Sequence, residues 1–159
     1  NKTVTSIIQD HYGFMWFATY DGLNRYDGIS FRIFRHVEGD STSICSNSIN
    51  SLCEDGDGNI WGVGTQLFCF FRATGVFKNF IYKKNDSSTV PSNKISKIIR
   101  DKNGDLWMSC VSDDFFLFHY NHATKKFSWF KRKDYLNDPV YSQPSIIKPS
   151  PPIPYKQKE

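Results

Sequence analysis

One heptapeptide pattern, Asp-x-x-Gly-x-φ-Trp with an apolar residue at φ, occurs three times in this chain. It spans residues 10–16, 55–61 and 101–107, and its tryptophans lie 45 and 46 residues apart. Three copies in register, at a period of about 40–50 residues, are typical of propeller blades rather than of a helical fold. The repeat residues are Asp10, Gly13, Trp16, Asp55, Gly58, Trp61, Asp101, Gly104 and Trp107.

The flanks of the pattern also repeat, and each unit divides into four short strands. In the first unit the sequence predicts strands at about 4–9, 14–19, 23–27 and 30–35. Aromatic residues make up 16% of the chain, and aromatic residues favour strands. The expected fold is therefore all-β, a partial β-propeller of three four-stranded antiparallel blades.

The predicted blades are residues 1–37, 38–84 and 85–132. Residues 133–159 contain six of the seven prolines and are expected to form an extended or disordered tail. Propellers typically have four to eight blades. We therefore expect the remaining blades of a longer propeller, or self-association, to complete this one.

Each part of the repeat has a predicted structural role. The aspartate caps amides of the first hairpin turn, and the glycine takes the positive φ that the turn requires. The tryptophan is a flat anchor for blade packing, and its indole N–H is expected to reach a carbonyl or an aspartate. Stacking of a sugar ring on the indole is a less favoured interpretation, because the tryptophan occupies the same position in every blade.

The charge pattern argues against a nucleic-acid partner. The formal net charge is +4, but residues 1–130 carry only +1 and the remainder lies in residues 131–159. No basic face is therefore expected on the blades. No apolar run is long enough to span a bilayer, so we expect no membrane contact by this segment. The four cysteines lack the spacing of a zinc site and are expected to be free thiols.

No catalytic residue, metal site or cofactor is predicted. His11, His36, His119 and His122 are interpreted as surface turn residues, and the acidic run 54–59 lacks the spacing of a calcium loop. The repeated aspartates belong to separate blades, whereas glycoside hydrolysis needs two carboxyl groups in one cleft.

The segments 4–10, 13–19 and 22–28 carry a family resemblance, above all Gly-Leu-Asn-Arg-Tyr-Asp-Gly at 22–28. Over about residues 1–130 the sequence resembles the two-component regulator propeller repeats of bacterial hybrid two-component systems. It departs from the usual repeat at Ala18, in a turn one residue shorter before Leu67, and in a longer turn through 113–114.

The resemblance implies the N-terminal periplasmic sensor ectodomain of a histidine kinase that recognises an oligosaccharide and relays the signal by a change of shape. The candidate ligand contacts are Tyr20, Asp21, Asn24 and Arg25, although Asn24 and Arg25 fit a hairpin-stabilising role equally well. Two other hypotheses stay open. One is a protein-interaction propeller without a small ligand, and the other, less favoured, is a glycan-active propeller enzyme.

Overall fold

The computed structural model describes residues 3–82, 90, 92, 94–111 and 115–131. Twelve strands occupy this described part, and each group of four forms one antiparallel sheet, paired in chain order. The first blade comprises β1 (Val4–Gln9), β2 (Met15–Thr19), β3 (Gly22–Tyr26) and β4 (Phe31–Phe34). The second comprises β5 (Ser51–Glu54), β6 (Ile60–Val63), β7 (Leu67–Phe71) and β8 (Val76–Phe80). The third comprises β9 (Ile95–Arg100), β10 (Leu106–Cys110), β11 (Phe115–Asn121) and β12 (Lys126–Lys131).

These strands confirm the predicted fold class, and in the first blade they lie within a residue or two of the expected bounds. The glycine of each aspartate turn has a positive φ: 90° at Gly13, 81° at Gly58 and 88° at Gly104. This region of φ disfavours residues that have a Cβ atom, so the turn explains the glycine. The predicted tail, residues 133–159, lies outside the described residues.

The blades pack face to face through two apolar clusters. One lies between the first and second blades and includes Trp16 and Phe68, each fully buried. The other lies between the second and third blades and includes Trp61 and Phe118, which are 1% and 0% exposed. Because each sheet buries both faces only when it has a neighbour on each side, the middle blade is the best buried of the three.

The first strands of the first and second blades each contact the following blade through a serine hydroxyl. Ser6 accepts the backbone N–H of Leu52 at 3.2 Å, and Ser51 accepts that of Ile98 at 3.3 Å. Ser6 and Ser51 hold the same register position, each two residues before the partner of the repeat tryptophan. The two contacts are therefore one interaction repeated at both blade boundaries.

Candidate functional site: the aspartate turns and the blade boundaries

Each aspartate turn is closed by the same set of hydrogen bonds. In the first blade, Oδ1 of Asp10 accepts the backbone N–H groups of Tyr12 and Phe14, both at 3.0 Å. Oδ2 of Asp10 accepts the indole N–H of Trp16 at 2.7 Å. One carboxylate therefore holds both the hairpin turn and the tryptophan that is the second residue of the next strand.

The other two blades repeat this geometry. The indole of Trp61 donates to Asp55 at 2.8 Å, and that of Trp107 donates to Asp101 at 3.2 Å. Burial works to raise the pKa of Asp101, but its hydrogen bond from Trp107 and those from the turn amides hold the pKa below the usual range. Of the two predicted acceptors for the indole N–H, a carbonyl or an aspartate, the structure shows the aspartate in all three blades.

The indoles share their ring contacts as well. Trp16 stacks on Phe34, Trp61 on Phe80 and Trp107 on Phe130, with interplanar angles of 16°, 21° and 19°. Trp16 also meets Phe70 of the second blade, with ring centroids 5.4 Å apart. Trp61 likewise meets Tyr120 of the third blade at 4.7 Å. The tryptophans are therefore packing anchors.

The end of the propeller that carries the aspartate turns also links neighbouring blades by charge. Arg72, in the second blade, contacts Oδ2 of Asp10 at 2.5 Å and donates to the carbonyl of Gly58 at 3.0 Å. Glu54 accepts from the His11 ring at 2.6 Å, which joins the first and second blades. Lys125 of the third blade pairs with Asp57 of the second. Each boundary therefore has an ion pair beside an aspartate turn.

Burial works to raise the pKa of Asp10, which is 3% exposed. The hydrogen bonds from Trp16 and Arg72 outweigh burial and hold that pKa below its usual range. Asp10 is therefore an ionised structural group. The chemistry of a general acid would need the opposite shift.

The inner strands β1, β5 and β9 line a concave surface of about 390 Å³. It is lined by apolar residues, among them Ile8, Leu52 and Ile98, and by the charged side chains of Glu54 and Arg100. Arg100 is already engaged, because it donates to the carbonyl of Asp55 at 3.1 Å. This open surface therefore presents apolar and charged groups together.

The four predicted ligand contacts do not form one cluster. Tyr20 and Asp21 lie in the β2–β3 turn, at the end opposite to the aspartate turns, and Asp21 pairs with Arg35 at 2.9 Å. The hydrogen bond from Arg35 holds the pKa of Asp21 below its usual range. Asp21 is therefore engaged by a protein partner, whereas Tyr20 is 44% exposed.

Asn24 and Arg25 point to opposite faces of the first sheet, as neighbours on a strand do. Asn24 lies opposite Phe17 on the face turned away from the second blade, whereas Arg25 lies opposite Trp16 on the face turned towards it. The Arg25 guanidinium carbon is 4.6 Å from the centre of the Phe14 ring. Of the four residues, Arg25 is therefore the one at a blade boundary.

The surroundings of His119 and Arg72 differ from what the sequence predicts. The sequence predicts His119 in a surface turn, but it lies in β11 and is partly buried. Its ring is tilted by 45° to that of Trp107, with the centroids 4.5 Å apart, and it forms a hydrogen bond with Asp105 at 2.9 Å. Arg72 was not singled out at all. Its contact with Asp10 joins residues 62 positions apart, which no local pattern reveals.

Within the ranges that the structure describes, no group of three or more His, Cys, Asp or Glu side chains is placed to hold a metal ion. In the acidic run 54–59, Asp55 accepts from the amides of Asp57 and Asn59 and from Trp61. Its oxygens therefore serve the turn. No helix in the described part of the chain is long and apolar enough to cross a bilayer.

Three comparisons place this geometry among known proteins. A family model described as Two component regulator propeller matches residues 1–21, 43–65 and 89–112, one segment in each blade. The extracellular domain of a hybrid two-component system from Bacteroides thetaiotaomicron superposes with a TM-score of 0.73 at 27% identity. The match covers 85% of this chain and 19% of that one.

A curated relative, "Histidine kinase P4" of Formosa agariphila, is 49% identical over 43 residues, which is 27% of this chain and 3% of the relative. Virginiamycin B lyase from Staphylococcus aureus has a TM-score of 0.57 at 13% identity, covering 80% of this chain and 41% of the lyase. The similarity between this chain and the lyase shows a shared fold and nothing further. This chain spans about a fifth of the matched extracellular domain and a small part of the curated relative.

Proposed function

We propose that this chain, whose three blades are two-component regulator propeller repeats, forms part of the ligand-sensing region of a bacterial hybrid two-component system. The recurrent aspartate–tryptophan turn carries this proposal, because it lies in the three segments that the family model matches. The similarity to an extracellular domain of such a system supports it. The name of the curated relative, a histidine kinase, supports the link to a kinase.

The signal that we propose is an oligosaccharide, recognised in the periplasm and relayed to a histidine kinase in other domains. The ends of the blade boundaries that carry the aspartate turns suit such a ligand, because side chains of two blades meet there. The chain itself is proposed to be non-catalytic. Its three repeated aspartates each serve their own turn and indole, whereas a glycosidase needs two carboxyl groups roughly 5–9.5 Å apart in one cleft.

A scaffold without a small ligand is the second candidate, and one observation favours it. The outer face of the first blade exposes Ile7, Phe31 and Ile33, which are 54%, 59% and 51% exposed. Large apolar patches of this kind often mark protein–protein contacts. A scaffold would use such faces and would gain no stability from sugars.

Thermal-shift measurements of the full chain against a panel of neutral and acidic oligosaccharides separate the two candidates. A ligand that binds only the folded state raises the unfolding midpoint as its concentration rises. We expect at least one oligosaccharide to raise the midpoint in a saturable way. A panel that leaves the midpoint unchanged up to millimolar concentration would favour the scaffold.

A further inference from the structure

Three arginines from two blades meet at the boundary between the first and second blades. Arg25 on β3 and Arg32 on β4 lie directly opposite each other, and Arg72 follows β7. The guanidinium carbons of Arg25 and Arg72 are 4.6 and 6.0 Å from the centre of the same ring, that of Phe14. The Arg32 guanidinium carbon lies 4.9 Å from the Phe34 ring. We call Arg25, Arg32 and Arg72 the arginine cluster.

The arginine cluster carries more positive charge than its surroundings neutralise. Among the described residues, the carboxylate that pairs with the cluster is Asp10, and it contacts Arg72. Asp10 also accepts the indole of Trp16 and two turn amides, so its oxygens are already occupied. Within the same described part, Arg25 and Arg32 have no ion-pair partner, and Nε of Arg25 is buried without a hydrogen-bond acceptor.

The aromatic rings beneath Arg25 and Arg32 offset part of the cost of this arrangement, but they supply neither a counter-charge nor a hydrogen-bond acceptor to Nε of Arg25. Like charges directly opposite each other on neighbouring strands destabilise a sheet, and a buried donor without an acceptor adds a further cost. An anion held between Arg25 and Arg32 would remove the repulsion between the two guanidinium groups. The cluster therefore has the properties of a site that is completed by a negatively charged ligand.

The arginine cluster does not belong to the repeat. At the next blade boundary, Cys69 and Lys78 hold the register positions of Arg25 and Arg32, and His122 holds that of Arg72. That boundary packs through the same tryptophan stack without three arginines. Blade packing therefore does not require the cluster.

We propose that the arginine cluster binds the carboxylate or sulfate group of an acidic oligosaccharide. Guanidinium groups recognise both anions through paired, charge-assisted hydrogen bonds. Tyr12, which is 62% exposed, lies at the edge of the cluster, with the Arg72 guanidinium carbon 4.5 Å from the centre of its ring. This proposal rests on the proposed sensing function and names the chemical class of its ligand.

Titration calorimetry of the full chain with a sulfated uronate disaccharide, and with a neutral disaccharide of the same linkage, tests the proposal. We expect the acidic probe to bind and Arg25→Gln or Arg32→Gln to weaken it by about tenfold or more, the loss of one charge-assisted contact. Added salt should weaken binding. Arg32 is exposed, so its variant should fold even if the Arg25 variant does not.

Arg35→Gln is the matched control, because it removes the same charge from the same blade at the opposite end, where Arg35 pairs with Asp21. Equal weakening by Arg35→Gln would overturn the proposal, as would equal binding of the neutral probe or of inorganic sulfate. Binding of neutral sugars alone would overturn it while leaving the sensing function intact. Failure of every saccharide to bind would count against the sensing function itself.

Discussion

At the scale of single residues, Asp10 shows how much one carboxylate can organise. It accepts two turn amides, the indole of Trp16 and the guanidinium of Arg72, and it is 3% exposed. Buried charges are tolerated when they are paired and fully hydrogen-bonded, and Asp10 meets both conditions. The fold therefore depends on this side chain remaining ionised.

We expect Asp10→Asn to lower the free energy of unfolding by about 2–4 kcal/mol, because it removes a charged acceptor from a buried network. Urea denaturation followed by tryptophan fluorescence measures the change. Asp21→Asn is the control, since it removes an exposed ion pair of the same blade, and its effect should be small. Equal effects of the two substitutions would contradict the assigned role of Asp10.

The depressed pKa of Asp10 also predicts the direction of the pH dependence. Because the folded pKa is below the ordinary carboxyl value of about 3.9, the stabilisation is present above that value and is lost as the pH falls through the lower folded pKa. The stability of the wild-type chain should fall below about pH 4 more steeply than that of Asp10→Asn. Parallel profiles would show that other groups dominate acid unfolding.

Of the contacts made by Asp10, the sequence predicts those within its own blade but not those to the next blade. The Asp–Trp hydrogen bond could be predicted, because six residues across a tight hairpin bring the two side chains together. The contact between Arg72 and Asp10 could not, since it depends on how one blade lies against the next. The arginine cluster could not be predicted either, because it also depends on how the first two blades lie against each other. Of its three members, the sequence indicated only Arg25 as a candidate ligand contact.

At the scale of strands and sheets, the serine contacts fix one blade relative to the next. Ser51 is 7% exposed and Ile98 is 3% exposed, so the hydrogen bond between them is shielded from water. The third blade has Lys97 at the same register position. A lysine cannot accept an N–H, so this contact ends with the second boundary.

We expect Ser51→Ala to lower the free energy of unfolding by about 1–2 kcal/mol, because the N–H of Ile98 loses its acceptor in a buried site. Amide exchange should accelerate at Ile98 more than at residues in the first blade. Ser30→Ala, at an exposed turn, is the control and should leave exchange at Ile98 unchanged. Uniform acceleration throughout the chain would argue against a local contact.

Strand order and turn positions followed from the sequence, because periodic turn residues and alternating apolar positions specify them locally. The relative placement of the blades did not, since the hydroxyl of Ser51 has no distinguishing pattern around it. Ser6 and Ser51 could have been found only by aligning the repeats and asking which small polar residues recur.

At the scale of the whole molecule, the first and second blades differ in what covers them. Leu52, Phe68 and Phe77 of the second blade are buried against the first, at 4%, 0% and 7% exposure. On the equivalent face of the first blade, Ile7 and Phe31 hold the register positions of Leu52 and Phe77 and are 54% and 59% exposed. Ile33, on the same face, is 51% exposed. The first blade therefore exposes apolar positions that are buried in the second blade.

We expect the chain to self-associate through this face, because exposed apolar area promotes association. Sedimentation velocity should show larger species as concentration rises, and Ile33→Lys should reduce them. Ile29→Lys is the matched control, since Ile29 is 93% exposed but lies in the β3–β4 turn. A monodisperse monomer with a cooperative thermal transition would contradict the expectation, as would an equal effect of Ile29→Lys.

The central claim is that one unit, an aspartate turn holding an indole, occurs three times. Hydrogen exchange of the four indole N–H groups, followed by nuclear magnetic resonance, tests it directly. Trp16, Trp61 and Trp107 should exchange slowly, with Trp107 the fastest of the three because it is the least buried. Trp129 donates no indole hydrogen bond within the described residues and should exchange fastest of all. Similar exchange at all four indoles would contradict the account.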